Sequence, residues 1–190
     1  NGALSGDGTE LAIRKQLLQK HLVEAIVILP RNMFYSTDIS VTLWILNNNK
    51  KARTVEQNGK LVRYRNREDE VLFIDLRQWG EPFEKKYIQF SMEQIQQIAE
   101  NFHNWQRVGY EETYHNKPEY CYSATLDEIE KKGWSLVPSK YIEFRNRDEQ
   151  IDFDTKMRQL QADIRDLLQK EEESKQQLKD LFNSLGYGLE

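Results

Sequence analysis

Two short apolar runs, Ala25 to Leu29 and Val41 to Leu46, limit what this chain can fold into more than any other feature. Both are hydrophobic and rich in β-branched or bulky residues, and each is too short for a buried helix of that character. Pro30 cannot donate to a strand ladder and stops the first run. The turn-favouring triplet Asn47-Asn48-Asn49 stops the second. The expectation is a pair of buried strands, the first of them central in a sheet. Between them lie Phe34-Tyr35 and Ser36-Thr37-Asp38, two aromatic rings in a polar loop that call for something to pack on them.

The flanking sequence supplies layers for such a sheet. After the turn at Gly6-Asp7-Gly8, Leu11, Leu17 and Leu18 recur at helical spacing, which predicts a helix to about Lys20 that feeds the first strand. Gly6-x-Gly8 alone is too weak for a phosphate cradle and reads as a plain loop. Val71 to Asp75 forms a further strand. Ser91-x-x-Gln94 is a capping box for a helix whose Ile95, Ile98, Ala99, Phe102 and Trp105 cover the sheet. Tyr120 to Ala124 reads as extended, and Thr125-x-x-Glu128 caps a brief helix ended by Gly133. Trp134 to Pro138 and Tyr141 to Phe144 read as an extended tail.

The formal charge of −4 argues against a basic nucleic-acid binder overall, but it averages over local patches. Lys50 to Arg67 is one such patch, with Lys50, Lys51, Arg53, Lys60, Arg63, Arg65 and Arg67 against Glu56. Asn58-Gly59 marks a two-residue hairpin, and alternation would place Arg63, Arg65 and Arg67 on one face. That pattern fits a solvated hairpin at a sheet edge, or a face that tracks phosphates. Asp75 followed by Glu84-Lys85-Lys86 has the residue types of a metal-dependent nuclease, but Pro82 and the lack of an apolar strand around Glu84 argue against one. His103 and His115 stand outside any ligand cluster, so no metal site is assigned. Cys121 is the single cysteine and reads as a buried structural thiol in a reducing compartment. No apolar run is long enough to span a bilayer and the start lacks a signal pattern, so a cytoplasmic protein without membrane contact is expected. The chain opens at Asn1-Gly2-Ala3-Leu4 without an initiator methionine, and reads as a fragment.

From Phe153 the pattern changes. Phe153, Met157, Leu160, Ile164, Leu167, Glu171, Ser174, Leu178, Leu181 and Leu185 alternate steps of four and three, a heptad seam that an isolated helix cannot bury. An intermolecular helical bundle is favoured over packing on the chain's own body. The expected division is therefore 1–80 with an excursion at 50–67, a helical and extended covering region at 81–150, and an assembly helix at 151–190.

The pieces also form a recognisable series. They are Asn1-Gly2-Ala3-Leu4-Ser5-Gly6 with Glu10 and Ile13-Arg14, Leu29-Pro30 with Phe34-Tyr35-Ser36-Thr37, Leu43-Trp44, and Leu72-Phe73-Ile74-Asp75. Tyr120-Cys121, Ser123-Ala124-Thr125-Leu126-Asp127-Glu128-Ile129, Gly133 and the closing Leu185-Gly186-Tyr187 complete it. In this order they resemble the C-terminal part of the modification subunit of Type I restriction-modification systems, an adenine-specific DNA methyltransferase. The resemblance implies an α/β fold: the closing portion of a doubly wound, Rossmann-like methyltransferase sheet with its antiparallel hairpin, then a small α+β region and the heptad helix. It further implies S-adenosylmethionine as methyl donor for the parent enzyme and double-stranded DNA as substrate. The implied partners are a specificity subunit, a second modification subunit and a restriction subunit. Phe34, Tyr35 and Thr37 would border the adenine pocket; Phe153, Met157, Leu160, Ile164, Leu167, Leu178, Leu181 and Leu185 would meet the specificity subunit. The family's glycine-rich donor turn and Asn-Pro-Pro-aromatic loop do not occur in this sequence, so the chain alone is expected neither to bind the donor nor to methylate. The competing expectations are a non-enzymatic coiled-coil module and, less favoured, the nuclease.

Overall fold

The computed structural model describes residues 2–144, 153–185 and 187. The chain divides into two compact units, Asn1–Arg145 and Asn146–Glu190. In chain order the first holds α1 (Gly2–Ser5), α2 (Thr9–Gln19), β1 (Val23–Ile28), β2 (Thr42–Leu46), β3 (Arg53–Gln57) and β4 (Lys60–Tyr64). There follow β5 (Glu70–Asp75), β6 (Glu81–Phe83), β7 (Tyr87–Gln89), α3 (Met92–Gln106), α4 (Tyr110–Thr113), β8 (Cys121–Thr125), α5 (Leu126–Lys131) and a 3-10 turn at Pro138–Lys140. The described part of the second unit is α6 (Phe153–Ser184).

This is a mixed α/β fold on a mixed four-stranded sheet of order β2-β1-β5-β8. β1 is central, as its unbroken apolar run requires: it pairs antiparallel with β2 and parallel with β5. β8 closes the other side antiparallel to β5, so a strand from beyond residue 80 belongs to the same sheet. Alternation sends β-strand side chains to two layers. Val23, Ile26 and Phe73 pack with Leu4, Leu18, Ile129 and Tyr141, where the Phe73 and Tyr141 rings stack at 4.2 Å. Ala25, Val27, Leu72 and Ile74 pack under α3, with Trp105 wholly buried.

Both expected capping boxes form. Ser91 accepts from the Gln94 N–H while the Gln94 side chain accepts from the Ser91 N–H, and Thr125 with Glu128 repeats the exchange at α5. The expected extended tail does not form. Trp134 takes a left-handed φ of 58°, Pro138–Lys140 coil into a 3-10 turn, and Tyr141 turns into the core. The cause is non-local: Arg14 on α2, 2% exposed, takes the Trp134 carbonyl at 3.0 Å, and Leu136 donates to the Leu4 carbonyl at 2.8 Å.

The C-terminal segment is one helix of 32 residues, roughly 48 Å at 1.5 Å rise per residue. None of its residues is buried within its own unit, and Phe153, Leu160, Ile164, Leu167, Leu178 and Leu181 all lie open.

Candidate functional site

The loop from Leu29 to Val41 leaves the carboxyl end of β1, next to the carboxyl end of its parallel neighbour β5, where Ile28 faces Asp75. In open α/β sheets this is the end at which ligands bind. Leu29 lies one residue past β1, yet its N–H still bonds the Val41 carbonyl at 2.8 Å and draws the feet of the loop together. At the tip, the Thr37 N–H donates to the Phe34 carbonyl at 3.4 Å, so Tyr35 and Ser36 crown a tight turn. Phe34 is 38% exposed and Tyr35 is 72% exposed. The Thr37 hydroxyl accepts from the Ile39 N–H at 3.4 Å, an exposed contact within the loop.

A feature missed in the sequence supports this tip. β6 and β7 form a small hairpin, and the Tyr87 ring meets Tyr35 edge-on at 4.6 Å. The Ile88 N–H donates to the Asn32 carbonyl at 3.0 Å, and Lys86 lies 3.5 Å from Asp38. Gly80 starts the hairpin at φ 100°, where a Cβ would collide with Ile88 and sit 3.1 Å from the Gln89 carbonyl. Only glycine fits both constraints. The combination presents two partly exposed aromatic rings and hydroxyl groups at a sheet's carboxyl edge, a surface suited to stacking on a planar heterocycle.

The basic hairpin differs from expectation. β3 and β4 pair as the Asn58-Gly59 signal requires, but β4 ends at Tyr64, so alternation does not carry Arg65 and Arg67 onto the face of Arg63. Both turn inward. Arg67, 1% exposed, donates from Nε to Glu24 at 3.0 Å, and the same carboxylate accepts from Gln106 at 2.9 Å and Asn47 at 3.2 Å. Glu24 sits on β1 where the register slips between Val23 and Ala25. Arg65 grips Glu70 through both carboxylate oxygens, at 2.7 and 2.8 Å, and lies 3.6 Å over the Tyr110 ring. Lys50 is buried as well; its ammonium donates to the carbonyls of Val23 and Glu70, each at 2.7 Å, and burial pushes its pKa down to about 8. Arg63 alone of the three arginines stays exposed. Partners more than 40 positions distant, such as Glu24 for Arg67, leave no mark in the local pattern.

The carboxylates of the nuclease alternative have different surroundings. Asp75 is held by Arg77 at 2.6 Å, and Glu84 stands exposed in the β6–β7 turn with φ 52°. Among the described residues no group of three or more histidines, cysteines and acids is placed to hold a metal. Cys121 is buried, and that burial pushes its thiol pKa up, away from a nucleophile's range. No helix among the described residues is long and apolar enough to cross a membrane.

Residues 1–150 match the family model described as N-6 DNA Methylase. The chain belongs to that family. Its likeness to Type I modification subunits also holds: it is 34% identical over 190 residues to the Type I restriction enzyme HindI methylase subunit of Haemophilus influenzae, covering 98% of this chain and 39% of that one. It is 29% identical over 187 residues to the MjaIX methylase subunit of Methanocaldococcus jannaschii, covering 98% and 31%. The chain thus spans well under half the length of these methylase subunits. Its fold is similar to the crystal structure of the Type I restriction-modification system methyltransferase subunit from Streptococcus thermophilus, with a TM-score of 0.58 at 22% identity over 76% of this chain and 25% of that one.

Proposed function

We propose that this chain works as part of the modification subunit of a Type I restriction-modification system, which transfers a methyl group from S-adenosylmethionine to adenine in DNA. Residues 1–80 would close the Rossmann-like catalytic sheet, 81–150 cover it, and 151–190 join subunits. The observation that carries this reading is the exposed Phe34–Tyr35 turn at the carboxyl ends of parallel strands in a chain of this family. Phe34 and Tyr35 would stack on the extruded adenine, with Thr37 holding the turn behind them. The donor is not assigned to residues here: β1 runs into Leu29-Pro30 and β5 into Leu76-Arg77, and neither is the glycine-rich turn that lets backbone approach such a cofactor.

In the subunit that carries this segment, Phe34→Ala with Tyr35→Ala should cost about 1–3 kcal/mol of base stacking, read as weaker binding of duplex DNA with 2-aminopurine at the target position. Unchanged fluorescence and methyl transfer would sink the assignment. Methyl transfer by the 190-residue chain alone would refute its expected inactivity. The exposed seam of α6 supports assembly with the specificity subunit, and through it with a second modification subunit and the restriction subunit. Copurification with the specificity subunit should be lost in Leu160→Asp with Leu178→Asp, while the unit carrying the sheet keeps its fold.

A further inference from the structure

The inward turn of Arg65 and Arg67 leaves a different set of cations on the outer side of the β3–β4 hairpin. An open groove of about 870 Å³ runs there, lined by Gln57, Lys60, Leu61, Arg63, Arg107 and Val108 among others. Arg107 comes from beyond α3: the Val108 N–H donates to the Arg63 carbonyl at 3.0 Å, and Tyr64 and Arg107 form an isolated antiparallel bridge. The segment after α3 therefore bridges to the end of β4 and brings its arginine beside the hairpin.

Lys60, Arg63 and Arg107 are all exposed. Among the described residues none of their side chains makes an ion pair or side-chain hydrogen bond, whereas Arg65 and Arg67 are each paired with a carboxylate, Glu70 and Glu24. No carboxylate lines the groove; Glu56, across from Leu61 on β3, is not part of its wall. The platform is also fixed, because both ends of the insertion are tied to the sheet by buried groups, Lys50 at one foot and Arg67 at the other. Three unpaired cations on a rigid concave wall within a chain of net charge −4 form a local anion site instead of a generally basic surface.

We infer that this groove binds the phosphate backbone of duplex DNA, with Lys60, Arg63 and Arg107 each facing a phosphate. DNA as the polyanion is taken from the function proposed above; the groove, its cations and their lack of partners stand independently of it. Such contacts fix the register of a protein on the duplex without reading sequence, and binding through them falls steeply with salt.

The test uses the 190-residue chain and a fluorescent 30-base-pair duplex of arbitrary sequence, with anisotropy followed from 50 to 200 mM salt. Three phosphate contacts contribute about 2.7 to the slope of log affinity against log salt, so over that range the wild type should lose roughly 40-fold more affinity than Lys60→Gln/Arg63→Gln/Arg107→Gln. The exposed control Lys20→Gln/Lys131→Gln/Lys140→Gln removes the same charge elsewhere and should keep the wild-type slope. Circular dichroism and thermal melting should be unchanged in both variants, since all six side chains are exposed. Absence of binding at 50 mM salt, a groove variant with the wild-type slope, or a control that loses as much would each overturn the groove as a DNA contact. So would stronger competition by an acidic peptide than by unlabelled duplex. Salt-dependent binding through the groove in a subunit whose Phe34 and Tyr35 prove inert would keep the groove and remove only the adenine reading.

Discussion

The loop between β1 and β2 and the β3–β4 hairpin both interrupt the strands that build the sheet, yet the first is propped by exposed groups and the second is fastened by buried ions. Tyr35 on Tyr87 and Lys86 near Asp38 are contacts in water, where screening and side-chain freedom keep each small. Glu24 with Arg67, and Lys50 between two carbonyls, are contacts in the interior, where losing one partner strands the other. A region that must meet a ligand can tolerate weak props that adjust on contact. A platform that must hold charges at fixed spacing is better served by partners that cannot let go.

The sharpest way to break this contrast is Glu24→Gln, which leaves the Arg67 guanidinium buried without its counter-ion and should cost about 3–5 kcal/mol in urea unfolding. A loss under about 1 kcal/mol would mean that the hairpin is as loosely held as the aromatic loop. Next comes Lys50. Its folded pKa of about 8 lies below the ordinary 10.5, so between those values the unfolded chain binds more protons and Lys50 makes stability rise with pH. Below about pH 8 both states are protonated and this slope vanishes. Lys50→Met should therefore lack the rise, measured as the pH dependence of the urea midpoint relative to wild type. The smallest effects belong to the loop. Tyr87→Ala should cost about 1 kcal/mol or less, and Asp38→Asn should stay within about 0.5 kcal/mol. Tyr87→Ala should still raise amide exchange at Thr37 and Ile88 without affecting Val71 to Ile74, because the prop acts on the loop and not on the core.

Much of the sheet was legible because its signals are local. The apolar runs at β1, β2 and β5, the Asn58-Gly59 turn and the boxes at Ser91 and Thr125 each depend on neighbours within a few positions. Phe34 and Tyr35 stood out for the same reason, as aromatic residues in a polar loop. The inward arginines did not, since a period of two says which residues share a face only while the strand lasts, and β4 stops at Tyr64. Nor did the β6–β7 hairpin: Pro82 speaks against a strand, and the turn is made by Glu84 at positive φ with no glycine to mark it. Arg107, one residue past α3, carries no local signal of its own. Only the backbone bond from Val108 to Arg63 turned it into a wall of the groove.

The place of β2 in the strand order has one more consequence. It lies at the end of the sheet, and Thr42-Leu43-Trp44-Ile45-Leu46 contains neither a charge nor a proline, the usual means by which proteins blunt such an edge. Leu43 and Leu46 are 44% and 55% exposed. An extended segment that reached the outer rim of β2 would find a template there, so association of this chain should grow with its concentration.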